Sequence, residues 1–202
     1  MEQSAGSPSP FRLHTLLIAS LVLKELPAFG GFGDILLRNL RQPEYIHVLI
    51  NPLPIYGLAM GWLGLVIALF LRSRRAQIAT LGIILLSAAS AWPAFEFGEQ
   101  AYDRVLTMTD DDGQAWLEAH EQRAEKFEYF FYALALLAVA AVLLPRKWPV
   151  TATPLIIATL ILAAVSLGAG GYIAHAGGKI RHREFRNERP PAHTEAEPAK
   201  RS

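Results

Sequence analysis

The chain has 202 residues, 52% of them hydrophobic, with a formal net charge of +1 and a mean hydropathy of +0.25. That length allows one or two domains, the apolar content marks an integral membrane protein, and the near-balanced charge gives no general attraction to nucleic acid. Cysteine is absent, which excludes disulfides, thiolate zinc sites, iron–sulfur clusters and covalently attached c-type haem, so any metal or haem must be held by His, Asp, Glu, Met or Tyr.

Residues 1–44 form a hydrophobic and interfacial segment. In "FRLHTLLIASLVLKELPAFGGFG" the apolar stretch between Arg12 and Lys24 is shorter than the roughly 20 residues that a helix needs to cross about 30 Å of hydrocarbon. It suits a signal-peptide core or a short additional helix, and the lack of a following A-x-A site favours the uncleaved helix. "GDILLRNLRQ" has the pattern of an interfacial amphipathic turn.

Four apolar runs follow, at 45–71, 76–95, 129–145 and 148–178. Each is near spanning length, and lipid offers no partner to free backbone groups, so each is expected to be helical. The expectation is an all-α integral membrane four-helix bundle over 45–186. "RSRRAQ" and "PRKWP" read as the two tight hairpins of this bundle, the second with prolines that cannot continue a helix. Between the second and third runs lies a polar stretch, 96–128, in which "TDDDG" reads as a turn and "QAWLEAHEQRAEKFEYFF" as a helix entering the membrane. From Asn187 onward, "NERPPAHTEAEPAKRS" is polar and proline-broken, the composition of a disordered tail.

Counting spans decides which ends meet. His47 opens the first, Glu96 and Glu99 follow the second, His120 precedes the third, and His175 with His182 close the fourth, so all of these groups lie on one side of the bilayer. At 1.5 Å rise per residue, His120 stands roughly 10 to 15 Å above Phe130, which suggests an inner layer of His47 with His175 and an outer one of His120 with His182. Neutral imidazole is the usual axial ligand of low-spin haem b and a common metal ligand. For this outer layer to form, Gly177-Gly178 is expected to act as a hinge that turns His182 back over the bundle end; an ordinary glycine helix stop is the other reading.

Two faces carry the histidines. Ala164, Gly168, Gly171 and His175 share one stripe of the fourth helix, which suits close helix packing or a slot for a flat macrocycle. In "HVLINPLPIYGLAMGWLG", His47, Asn51, Pro54 and Gly61 share another, and a bend at Pro52 and Pro54 belongs inside the bundle, where freed carbonyls find partners. Glutamates crowd the same end, and "EYIH" sets Glu44 three residues before His47. A bundle di-iron site needs two Glu-x-x-His pairs; one occurs, and the remaining carboxylates suit a solvated helix surface or partners for imidazole N–H groups.

These elements resemble a family of small bacterial four-helix predicted membrane proteins of unknown function, whose members carry "HP-x-x-x-HFPI" on the first helix, a lone His before the third, and "GHxGGxxxHxE" after the fourth. "HVLINPLPI" matches through His47, Pro54 and Ile55, with Pro52 in place of the second histidine; "WLEAHEQRA" supplies His120; "AHAGGKIRHREF" matches at His175, Gly177, Gly178, His182 and Glu184. Some relatives are joined to c-type cytochrome domains at this end, which implies a c-type cytochrome or other redox subunit as partner and an extracytoplasmic histidine end in the bacterial inner membrane. "RSRR" and "PRK" in the short hairpins agree with that orientation, while Lys179, Arg181, Arg183, Arg186 and Arg189 argue for the opposite one.

The leading expectation is therefore an electron-transfer or subunit protein rather than a stand-alone enzyme, in contact with lipid and free to oligomerise. It would hold b-type haem through two or more of His47, His120, His175 and His182, with Arg181 and Arg183 neutralising propionates. Alternatives are a structural or assembly subunit, or a non-haem copper, zinc or iron site on the same histidines. No Ser, His and Asp set and no H-E-x-x-H motif is present, so hydrolysis is not indicated.

Overall fold

A computed structural model describes residue 31 and residues 33–191. The apolar stretch 11–30, with its expected additional helix, and the tail beyond 191 lie outside them. The chain separates into two compact units, 1–42 and 43–202. In the first, a short helix covers 33–39 and ends in a turn at Leu40 and Arg41, where the sequence suggests an interfacial turn.

The second unit is all-α, and no strand occurs among the described residues. Its helices are α1 (Pro43–Ile50), α2 (Leu58–Phe70), α3 (Arg74–Ala89), α4 (Ala91–Leu106), α5 (Asp111–Leu143) and α6 (Ala152–Arg181). They make four stretches long and apolar enough to cross a membrane: Pro43–Phe70, Arg74–Leu106, Asp111–Arg146 and Pro149–Arg181. The protein is thus an integral membrane helical bundle, as expected.

Local chemistry explains where the helices break. Pro52 and Pro54 lack N–H donors, and the ladder widens there into a π-helical turn, Leu53–Gly57, with Pro54 buried as the sequence suggested. In the first hairpin Arg72 takes a left-handed φ of 52° and the Ser73 hydroxyl accepts the Ala76 N–H to start α3. Asp110 starts α5 by accepting the Gly113 N–H at 3.0 Å, and Asp111 and Asp112 place negative charge at the helix's positive end. Prolines 145 and 149 sit in short 3-10 turns that reverse the chain between α5 and α6.

Two buried clusters divide the bundle along its length. The membrane cluster contains Leu58, Leu65, Leu81, Ile84, Phe131, Leu134, Ile156 and their alanine neighbours. The first two spans approach through glycines: a Cβ on Gly61 would lie 2.8 Å from Ile84, and one on Gly64 2.8 Å from Thr80. The polar stretch 96–128 continues the helices on both sides of a turn at 107–110. It builds a second cluster of Trp116, Leu117, Ala119, Ala176 and Ile180, with Tyr102 and Val105 against it. In this polar head α1 packs on α4, and α5 on both α4 and α6.

Two expectations for α6 fail. The helix runs unbroken through Gly177 and Gly178 to Arg181, neither glycine has positive φ, and the chain turns only at His182. Packing on both sides of the glycine pair outweighs its low helix propensity. The stripe of Ala164, Gly168, Gly171 and His175 is exposed at all four positions; the buried face is Ala163, Ser166, Gly170, Ile173 and Ala176. Among the described residues a cofactor slot along that small-residue stripe has no opposing wall, since a Cβ on Gly168 or Gly171 would meet nothing within 4 Å.

Candidate functional site

The histidines divide differently from the layers expected. His47 on α1 and His120 on α5 meet in the head with ring centres 6.3 Å apart and planes at 87°. The start of the apolar run at residue 45 suggested an inner position for His47, apart from His120. Instead α1 packs on α4, and the His47 ring stands beside that of His120.

Each ring is seated in the same way. His47 Nδ1 lies 2.7 Å from the Ala94 carbonyl oxygen, and the ring covers Gly98, where a Cβ would lie 2.9 Å from Nδ1. His120 Nδ1 lies 3.0 Å from the Ile173 carbonyl oxygen, and its ring covers Gly177, where a Cβ would lie 3.0 Å from Cε1 and Nδ1. A carbonyl oxygen only accepts, so Nδ1 carries a proton in both rings, and in the neutral imidazole Nε2 is the nitrogen with the lone pair. In both cases the glycine stands one helical turn after the accepting carbonyl, so one bare stretch of helix provides the bond and the room for the ring.

His175 and His182 stand apart from this pair. His175 is exposed, lies edge-on to Trp116 at 6.2 Å, and has Nε2 3.7 Å from a Glu188 carboxylate oxygen. His182 is exposed, stacks on Phe185 at 5.1 Å and meets Glu184 at 2.9 Å through Nδ1. Glu44 does not join His47 in a Glu-x-x-His pair; it binds Arg104 at 2.6 Å. Among the described residues no group of three or more His, Asp and Glu side chains is placed to hold one metal ion.

The arginines expected at propionates serve the chain end. Arg183 binds Asp110 at 2.9 Å and Arg181 is exposed. Asp110 is ten residues, about 15 Å along α5, from His120. Arg186, which sequence reasoning passed over, forms a clasp: its guanidinium donates to Asp110 at 2.9 Å and to the carbonyls of Lys179 and Ile180, each at 2.8 Å. It closes the C-terminus of α6 onto the N-cap of α5. The Arg186 guanidinium beside Asp110 holds that carboxyl down at about 2, and Asp110 in turn raises Arg186.

Further groups escaped sequence reading. Arg123 lies 3.9 Å over the Tyr172 ring and donates to the Tyr172 carbonyl at 2.9 Å. Lys179, only 5% exposed, sits 4.3 Å over the Trp116 ring and pairs with Glu188. That pairing holds Glu188 below the usual carboxylate range. A signal for the pair was present: a lysine inside an otherwise small and apolar helical run needs an anion nearby. No known family model, curated protein or solved structure matches this chain.

Proposed function

We propose that the chain is a membrane-embedded electron-transfer module whose redox metal centre, b-type haem in the leading reading, is held by His47 and His120. The observation that carries this reading is the imidazole pair itself: ring centres 6.3 Å apart, both Nδ1–H groups on backbone carbonyls and both Nε2 atoms left as donors. Neutral imidazole is a common haem and metal ligand, and His47 and His120 would hold the metal through Nε2. A backbone carbonyl on the second nitrogen is the usual outer partner of a ligating histidine; it orients the ring and raises its basicity. The paired rings and their carbonyl partners are what support a shared metal centre here.

The residues expected around the macrocycle change with the ligands. Arg181 and Arg183 are not at this pair, and the clasp on Asp110 accounts for Arg183. His175 and His182 belong to the outer surface. Haem, when bound, supplies one-electron chemistry; the chain orients two half-buried imidazoles between the helix pair α1–α4 and the pair α5–α6. We place the histidine end on the extracytoplasmic side, in reach of a c-type cytochrome or other redox subunit, supported by the basic hairpins at the opposite end.

The test is the optical spectrum of protein expressed with haem supply, with metal analysis of the same sample. A Soret band that disappears in His47→Ala and in His120→Ala, and persists in His175→Ala and His182→Ala, is the expected result; stoichiometric metal without a Soret band assigns a bare ion to the pair. Neither haem nor metal in the wild type would leave the second reading, a structural subunit. That reading is favoured by the way each ring ties two helices through one hydrogen bond.

A further inference from the structure

Away from the imidazole pair, an open cleft on the outer face of α6 is lined by His175, Gly178, Lys179, Phe185 and Glu188, among others. Its chemistry centres on one cation. The Lys179 side chain is 6% exposed, lies over the Trp116 ring and is fixed on a long helix, so its ammonium needs an anion close by. His175, one turn earlier on the same face, turns Nε2 toward the same point, 3.7 Å from Glu188. Gly178 leaves the cleft open between them: a Cβ there would meet only Phe185, at 3.9 Å.

The anion that fills this place is of a different kind from its cation. Glu188 is 55% exposed and stands on an irregular segment beyond the short turn Arg183–Phe185. The clasp of Arg186 on Asp110 anchors that segment two residues before Glu188, so the carboxylate can leave Lys179 without the clasp opening. A rigid, desolvated lysine with a neighbouring imidazole is thus occupied by a tethered, half-solvated carboxylate.

We propose that this cleft is a binding site for a phosphate-type oxyanion, and that Glu188 is the chain's own stand-in, displaced when the oxyanion binds. A phosphate carries more charge and more acceptor oxygens than one carboxylate, and Lys179 offers three donors beside His175. The phosphate comes from a soluble ester or from an anionic lipid headgroup; both present the same chemistry. A short tether gives Glu188 an effective concentration in the millimolar range, so the wild type binds free phosphate only when phosphate reaches comparable levels.

The experiment is calorimetric titration of the full chain in neutral detergent with inorganic phosphate. Glu188→Gln binds phosphate at least tenfold more tightly than the wild type, and Lys179→Gln added to Glu188→Gln removes the binding. Glu188→Ala repeats the measurement, and circular dichroism with gel filtration checks that each variant is folded. Equal affinity in the wild type and both Glu188 variants, or undiminished binding after loss of Lys179, overturns the proposal. Repeating the Glu188→Gln titration in nanodiscs with and without phosphatidylglycerol separates the sources: suppression by that lipid assigns the site to a headgroup, and unchanged binding assigns it to a soluble phosphate.

Discussion

His47 and His120 come from helices far apart in the chain, yet their rings meet edge to face at 6.3 Å, each seated on a glycine of a third or fourth helix. Four helices therefore meet through two imidazoles and two missing side chains. The head of this bundle has a polar centre where an ordinary bundle has leucines.

Removing either ring exposes a consequence that does not depend on any cofactor. His47→Ala removes the ring and its hydrogen bond to the Ala94 carbonyl, and His120→Ala does the same at Ile173. Each loss is expected to cost about 1–3 kcal/mol. His175→Ala and His182→Ala, at exposed positions, are expected to stay within about 0.5 kcal/mol of the wild type. Thermal unfolding in detergent compares the four variants; equal effects at inner and outer positions would contradict the seating described above.

The glycines under the rings give a sharper contrast. A Cβ at Gly98 or Gly177 would come within 2.9 to 3.0 Å of a hydrogen-bonded imidazole, so Gly98→Ala and Gly177→Ala are expected to destabilise by about 1–3 kcal/mol through overpacking. Gly168→Ala and Gly171→Ala meet nothing within 4 Å and are expected to gain up to about 1 kcal/mol from helix propensity. The same melts decide, read as opposite signs of the shift in midpoint.

The clasp at Asp110 sets an acid limit. Its carboxyl is depressed from 3.8 to about 2, mainly by Arg186. A depressed acid contributes stability that is present above its unfolded value and lost as pH falls through its folded value, so the clasp holds at pH 4 and opens between about pH 4 and pH 2. Amide hydrogen exchange over residues 182–188 is expected to rise in that window. Asp110→Asn is expected to show the fast exchange already at neutral pH; slow exchange there would remove Asp110 from the clasp.

Arg123 joins α5 to α6 at the base of the head through the Tyr172 ring and carbonyl. Arg123→Gln is expected to cost about 1 kcal/mol, and Arg123→Lys less, because an ammonium keeps the charge over the ring but not the planar fork. A double-mutant cycle with Tyr172→Leu measures the coupling, and additive effects of the two substitutions would show that none exists.

The amino-acid order alone determined the all-α class, the four spanning stretches, the two hairpins, the buried bend at Pro54 and the single rim that the histidines share. These follow from composition and chain length, since a continuous apolar run of about 20 residues satisfies its backbone in lipid as a helix and an even number of crossings returns each end to a known side. What only the tertiary structure decided is which groups face one another. His47 pairs with His120 and not with His175 because α1 packs on α4, and Gly177 stays within the helix with the His120 ring lying on it. Lys179, Glu188, Asp110 and Arg186 are joined by a chain reversal at His182. Helical periodicity assigns a residue to a face of its own helix; the rotation and height of neighbouring helices, set by how buried side chains interlock, assign that face its partner.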